Sequence, residues 1–222
     1  MYYKGQGVPQ DFFEAANWFE LAAKQGIESA QYNLSVMYFQ GQGTQQDYKE
    51  AFKWFKLSSD QGVVVAYYNL GYLYDQGKGV PQDCMKAFDL YQISAKQGNG
   101  LAQSNLGLLY DLGKVVPKDY KEALKWYRLS AEQGIKEGQT NFGTMYEKGH
   151  AVAQNYTEAI KWYQLSADQN FQDGQTNLGL LYYQGKGVSQ DYKQAFKWFK
   201  LSAQQGSMEA QSNLGLMYHK GK

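Results

Sequence analysis

The side chains best suited to chemistry are few and scattered. His150 and His219 are the only histidines, and neither belongs to a cluster with metal-ligand spacing. Cys84 is the single cysteine. It directly follows Asp83, a helix-opening residue, and a helix N-terminus can stabilise a thiolate. No histidine is near it in sequence, and Tyr or Phe holds that position elsewhere in the chain, so Cys84 reads as an aromatic replaced by a small apolar side chain. The Gly-x-Gly segments, such as Gly77-Lys78-Gly79, lack the Lys-Ser/Thr pair of a phosphate-binding loop and join two helical stretches rather than a strand and a helix. What remains is a row of amides: Asn33, Asn69, Asn105, Asn141, Asn177 and Asn213 recur every 36 residues. Such a row could hydrogen-bond the backbone of an extended peptide whatever its sequence. It could equally be used up tying neighbouring helices together, and the sequence leaves both readings open.

The elements that must position these groups follow the same period. Tyr38, Tyr74, Tyr110, Tyr146, Tyr182 and Tyr218 keep it, as do Gly41, Gly77, Gly113, Gly149, Gly185 and Gly221. A fixed period between 20 and 50 residues marks a stacked-repeat architecture. In the unit Ala30 to Val65, residues Ala30, Leu34, Met37 and Tyr38 share one arc of a helix. The sixth position is small throughout (Ser35, Gly71, Gly107, Gly143, Gly179, Gly215), and a helical glycine costs roughly 1 kcal/mol against alanine. The expected reason is a close approach of neighbouring backbone. The first helix stops at Gly41, and Asp47, three residues before Glu50, opens the second with the spacing of a capping box. The pairs Asp11/Glu14, Asp119/Glu122, Asn155/Glu158 and Asp191/Gln194 repeat the device, with Asp83/Lys86 as the exception. The second helix is expected to bury Ala51, Phe52, Trp54, Phe55, Leu57 and Ser58, and Trp18, Trp126, Trp162 and Trp198 are read as core by the same spacing. It ends at Gly62, matched by Gly26, Gly98, Gly134 and Gly206 and replaced once by Asn170, which read as left-handed caps. Each repeat is therefore an antiparallel helix pair. The expected division is a half-repeat at 1–29, five repeats at 30–65, 66–101, 102–137, 138–173 and 174–209, and a half-repeat at 210–222. Met1 and Tyr2 align with Met37 and Tyr38, so the chain is expected to begin near the end of a helix, as a piece of something longer.

Composition narrows the function. A formal charge of +1 with both signs interspersed gives no electrostatic footprint for nucleic acid. One cysteine cannot build a disulfide framework or a thiolate cluster. The longest apolar stretch, around Val63 to Val65, is far too short to span a bilayer.

With the unit laid out, the helix-one run 102–110, the loop 77–83 and the helix-two run 121–134 resemble Sel1-like repeats, relatives of the tetratricopeptide repeat, over essentially the whole chain. The resemblance implies an all-α fold, an α/α solenoid coiled as a right-handed superhelix, and an adaptor or scaffold rather than an enzyme. Bacterial members are often exported and some act at the host interface, while eukaryotic members serve in protein quality control and cell-wall synthesis. The branch with paired cysteines in each repeat does not fit a single Cys84. Departures cluster mid-chain. Val115 and Ala151 replace the second loop glycine, Ala153 and Asn155 alter the following cap, and Gly138 and Gly174 replace the opening alanine. If the loop glycine has positive φ, Val115 forces another backbone path.

On the helical wheel, positions three, seven, ten and eleven of the first helix point away from the apolar arc, toward what is the concave groove in tetratricopeptide relatives. The candidate contact residues are Tyr68, Asn69, Tyr72 and Asp75; Asn105, Leu108 and Asp111; Asn141, Thr144 and Glu147; and Asn177 and Tyr183. The further residues read onto this face are Gln76, Ser104, Leu112, Thr140, Lys148, Thr176, Leu180 and Gln184. The expected function is non-enzymatic binding of a protein or peptide partner, with no cofactor, metal or nucleic acid. Two alternatives stand beside it: head-to-tail self-association through uncapped ends, and a regulatory repeat domain of a larger exported bacterial protein.

Overall fold

The structure, a computed structural model, describes residues 9–222; the expectation about Met1 and Tyr2 lies outside them. They form two compact units, the first ending at Ala102 and the second beginning at Gln103. All regular structure among them is helical. The first unit holds α1 (Phe12–Lys24), α2 (Glu28–Gln40), α3 (Tyr48–Asp60), α4 (Val64–Gln76) and α5 (Cys84–Lys96). α6 (Gly100–Leu112) runs across the division. The second unit continues with α7 (Tyr120–Glu132), α8 (Lys136–Lys148), α9 (Tyr156–Asp168), α10 (Gln172–Gln184), α11 (Tyr192–Gln204) and α12 (Met208–His219). Each helix packs on the one before and after it in its unit, α2 on α3 and α4 on α5 in the first, α8 on α9 and α10 on α11 in the second. This is the α/α repeat arrangement read from the sequence.

Ala51, Phe55, Ala66, Leu70 and Leu73 make one core cluster, and Ala123, Tyr127, Ala131, Phe142 and Met145 its counterpart in the second unit. Each large side chain so buried contributes roughly 1.5–3 kcal/mol. The small sixth position has a different cause from the one expected. A Cβ on Gly107 would stand 2.7 Å from the Tyr127 ring, on Gly143 2.8 Å from Tyr163, and on Gly179 2.8 Å from Phe199. An aromatic ring of the next helix, not a backbone, occupies the space. Close backbone approach occurs instead at the second loop glycine: a Cβ on Gly79 would lie 2.4 Å from the carbonyl of Tyr48, and one on Gly43 2.0 Å from the carbonyl oxygen of Phe12. Both glycines have positive φ, +73° and +70°. Ala151 copies that conformation at φ 58°, whereas Val115 does not enter the left-handed region, so its loop takes the different path anticipated.

The helix caps also differ in part. Asp47 accepts the amide protons of Lys49 and Glu50 at 2.8 and 3.1 Å, which satisfies two of the free donors of the first turn. The reciprocal half of the box is missing, because the Asp47 amide donates to Tyr38 O at 3.0 Å and ties the two helices of the repeat together. Asp83, Asp119, Asn155 and Asp191 do the same toward Tyr74, Tyr110, Tyr146 and Tyr182. Glu50 is thereby released to pair with Lys53 on the surface. Asp83 caps α5 despite lacking the acidic partner, and its carboxyl sits below the usual carboxylate range chiefly because it accepts the Lys86 amide proton.

Two core expectations are corrected. Trp54 is buried against Ala23, Ala30 and Leu34 of the preceding helices, but Trp18 has no described helix before it and is 58% exposed. Leu57, expected in the core, is 39% exposed.

Candidate functional site

The predicted contact residues fall in two sets, one in each unit. In the first, Tyr68, Asn69, Tyr72 and Asp75 all lie on α4 and all are half-buried. The Tyr68 ring centre is 5.9 Å from that of Tyr91. Tyr72 is edge-on to Phe39 at 5.9 Å, and its hydroxyl accepts from Lys78 Nζ at 3.3 Å. Asp75 accepts from the neighbouring Gln76 amide at 2.8 Å.

In the second unit Asn105, Leu108 and Asp111 come from α6, Asn141, Thr144 and Glu147 from α8, and Asn177 and Tyr183 from α10. The acidic members are held by buried tyrosines. Tyr127 donates to Asp111 at 3.4 Å, and Tyr163 donates to Glu147 at 2.5 Å while sharing a 3.0 Å hydrogen bond with Thr144. Burial first, and the adjacent carboxylate second, push both phenols well above the ordinary tyrosine range. Tyr183 instead stacks edgewise on Tyr192 at 5.4 Å, and Leu108 is 39% exposed. Position three does not reach the surface in this unit: Ser104, Thr140 and Thr176 are buried, and the last two hydrogen-bond Ser166 and Ser202 at 2.7 Å.

The asparagine row is the least committed part of the face. Asn69 donates to Val65 O at 3.0 Å and to the Tyr32 hydroxyl at 3.4 Å. Asn105, Asn141 and Asn177 are half-buried, and their amides make no hydrogen bond among the described residues. The tying role expected of an amide row belongs to glutamines that sequence reading passed over. Gln61 donates to Gln31, Gln133 to Gln103, Gln169 to Gln139 and Gln205 to Gln175, at 2.7–2.8 Å. Gln31 in turn reaches Ala23 O of the preceding helix at 3.2 Å, and Gln139 reaches Ala131 O at 3.5 Å. The signal was available, since Gln31, Gln103, Gln139 and Gln175 are 36 residues apart or a multiple of it.

A second missed set joins consecutive repeats beside the predicted face. Lys78 stands 5.3 Å from the Tyr48 ring, His150 stacks on Tyr120 at 4.1 Å, Lys186 stands 5.5 Å from Tyr156 and Lys222 4.5 Å from Tyr192. Each of the three lysine–aromatic contacts contributes about 0.5–1 kcal/mol at an exposed site. Among the described residues no group of three His, Cys, Asp or Glu could hold a metal ion, and no helix is long and apolar enough to cross a membrane.

A repeated antiparallel helix pair, stitched by glutamine amides, defines a class: the α/α-repeat proteins. More narrowly, the chain belongs to the Sel1 repeat family, which is matched over residues 1–27, 28–63, 64–99, 100–135, 136–171, 172–207 and 209–222. It is similar to the crystal structure of c5321, a protective antigen of uropathogenic Escherichia coli displaying an SLR fold, at 36% identity and a TM-score of 0.80. That match covers 100% of this chain but 47% of the other, so the chain spans about half of that relative's length. A Sel1 repeat protein from Oxalobacter formigenes matches at 30% identity and a TM-score of 0.82, over 89% of this chain and 79% of its own. No curated protein matches the chain. Proteins of this family are generally protein–protein interaction scaffolds and generally non-enzymatic.

Proposed function

We propose that this chain is an adaptor that holds an extended protein segment along the asparagine side of its first helices, the side expected to be concave. The observation that carries this is the set of uncommitted amides of Asn105, Asn141 and Asn177 on three successive first helices of the second unit. A half-buried amide offers two donors and an acceptor, the complement of a peptide backbone, and its cost when unmatched falls away on binding. Leu108 and Tyr183 beside the row are suited to apolar and aromatic anchoring, which would give the selectivity that backbone contacts lack. Asp111 and Glu147, half-buried and fastened from beneath by tyrosine hydroxyls, would favour a segment carrying lysine or arginine.

The test is affinity capture from bacterial and host-cell extracts with the wild-type chain beside an Asn105→Ala/Asn141→Ala/Asn177→Ala variant of equal helicity. A partner held by the wild type and lost by the variant supports the reading. A partner held by both moves the site elsewhere. A second reading, head-to-tail self-association, is favoured by Phe13, Trp18 and Leu21 on α1 and Met208 on α12, which are 65%, 58%, 54% and 83% exposed. Light scattering across a hundredfold concentration range separates the two, since a constant monomer mass removes self-association.

A further inference from the structure

One repeat lacks the tryptophan that the others carry. Trp18, Trp54, Trp126, Trp162 and Trp198 recur at the repeat spacing, and Leu90 stands in the series between Trp54 and Trp126. Where the indole is present and preceded by described helices, its place is defined. Trp54 packs on Ala23 and Leu34 with Tyr38 alongside; Trp162 packs on the cluster of Ala131 and Phe142 with Tyr146; Trp198 packs on Ala167 and Leu178. The residues in register with these around Leu90 are Ser59, Leu70 and Tyr74. They line a pocket of about 260 Å³ that also touches Phe52 and Tyr67. In the Trp162 repeat the corresponding groove, of similar volume at about 250 Å³, is bounded by Leu124, Phe142 and Tyr146 and does not reach Ala131, a member of the cluster that the indole packs on. The pocket beside Leu90 does reach its counterpart, Ser59. Its volume falls below the roughly 300–1,000 Å³ of sites for drug-sized ligands, so it suits a single side chain.

The charge above it is inverted as well. Lys53, Lys125 and Lys197 each precede the tryptophan and stand over its ring at 5.2, 4.8 and 4.6 Å. Before Leu90 that residue is Asp89. The other charges at the rim are engaged internally: Lys56 pairs with Asp60 at 2.8 Å, and Lys86 pairs with Asp83 at 3.2 Å while standing 5.2 Å from the centre of the Tyr74 ring. Asp89, exposed, has no ion pair among the described residues. An aromatic ring seated on Leu70 beside Tyr74 would thus have the open carboxylate of Asp89 at its edge, in the register position where Trp54, Trp126 and Trp198 have an ammonium.

We propose that the socket beside Leu90 receives a tryptophan side chain of a partner peptide, presented next to a lysine or arginine that Asp89 engages. The inference is independent of the asparagine face. Tyr67, Leu70 and Tyr74 occupy the arc of α4 opposite to Tyr68, Asn69, Tyr72 and Asp75.

The experiment titrates tryptamine and indole-3-acetate, an indole with a cation and an indole with an anion, into the full chain and follows them by ligand-observed NMR. Tryptamine is expected to saturate the site and to bind about two- to fivefold more tightly than indole-3-acetate, the span of a rim ion pair. Leu90→Trp, which restores the side chain used in the other repeats, should abolish binding of both. Asp89→Lys, an exposed change, should keep indole binding and reverse the preference. Absence of saturable binding at millimolar tryptamine, or undiminished binding by Leu90→Trp, overturns the socket. A preference for indole-3-acetate in the wild type overturns the role of Asp89.

Discussion

The Tyr163 hydroxyl donates to Glu147 at 2.5 Å, from the second helix of a repeat to the first, and the repeat before it uses the same pairing. Tyr127 meets Asp111 in the same way. Where the second-helix ring is phenylalanine, the partner is aromatic: Phe55 meets Phe39 at 6.3 Å and Phe199 meets Tyr183 at 6.4 Å. A buried hydroxyl needs an acceptor and a buried ring without one does not. Two of the three acidic residues of the predicted face, Asp111 and Glu147, are therefore explained from beneath it.

Glu147→Ala should leave the Tyr163 hydroxyl with Thr144 alone and cost about 1–3 kcal/mol. Tyr163→Phe in the Glu147→Ala background should cost less than in the wild type. A double-mutant cycle from urea unfolding reads the difference, and additive losses would refute the coupling.

The same tyrosines set an alkaline limit. Their phenols are raised above the ordinary 10.0 by burial and then by the carboxylates. A raised folded value means that the stability is present in full below about pH 10 and is lost as pH climbs toward that value, because unfolded phenols ionise first. Urea midpoints should fall between about pH 9 and pH 11, and less steeply in Tyr127→Phe/Tyr163→Phe.

Equivalent glycines should respond with opposite signs. Gly143→Ala places a methyl 2.8 Å from the Tyr163 ring and should destabilise by about 1–3 kcal/mol despite better helix propensity. Gly215→Ala, with nothing within 4 Å, should stabilise by about 0.5–1 kcal/mol. Thermal melts of the two single variants decide it.

Trp126 donates to Glu122 at 3.0 Å, whereas the buried Trp198 indole has no acceptor, the residue in register being Gln194. Gln194→Glu should offer a charged, stronger acceptor and raise stability by about 1 kcal/mol, also adding a favourable negative charge in the first turn of α11. A wild-type melting temperature in this variant would show that the indole does not turn to it.

Relieving the left-handed alanine gives a last check. Ala151→Gly removes a side chain at φ 58° and should stabilise by about 0.5–1 kcal/mol. Gly79→Ala should do the reverse, because its Cβ would meet the Tyr48 carbonyl as well as the positive φ.

Much of the architecture was legible because it is written in repeats. The period, the paired helices, the Asp47-type caps and the left-handed Gly62 and Asn170 all depend on local backbone chemistry, which neighbouring residues determine. The face of the first helix was legible only as a direction. The wheel placed Ser104, Thr140 and Thr176 outward, but it cannot show that the next helix covers them. It also could not distinguish an asparagine left open from one consumed, since that depends on whether an acceptor 30 or more residues away arrives within about 3 Å.

By itself the sequence determined the repeat, its helix pair and the family resemblance, because helix periodicity and caps are short-range and recur six times over. Tertiary structure alone decided that Gly143 makes room for a ring and Gly79 for a backbone, that glutamines rather than asparagines stitch the helices, and that the space beside Leu90 stays open. Those outcomes depend on contacts between helices, and packing density allows a side chain only the room that its distant neighbours leave.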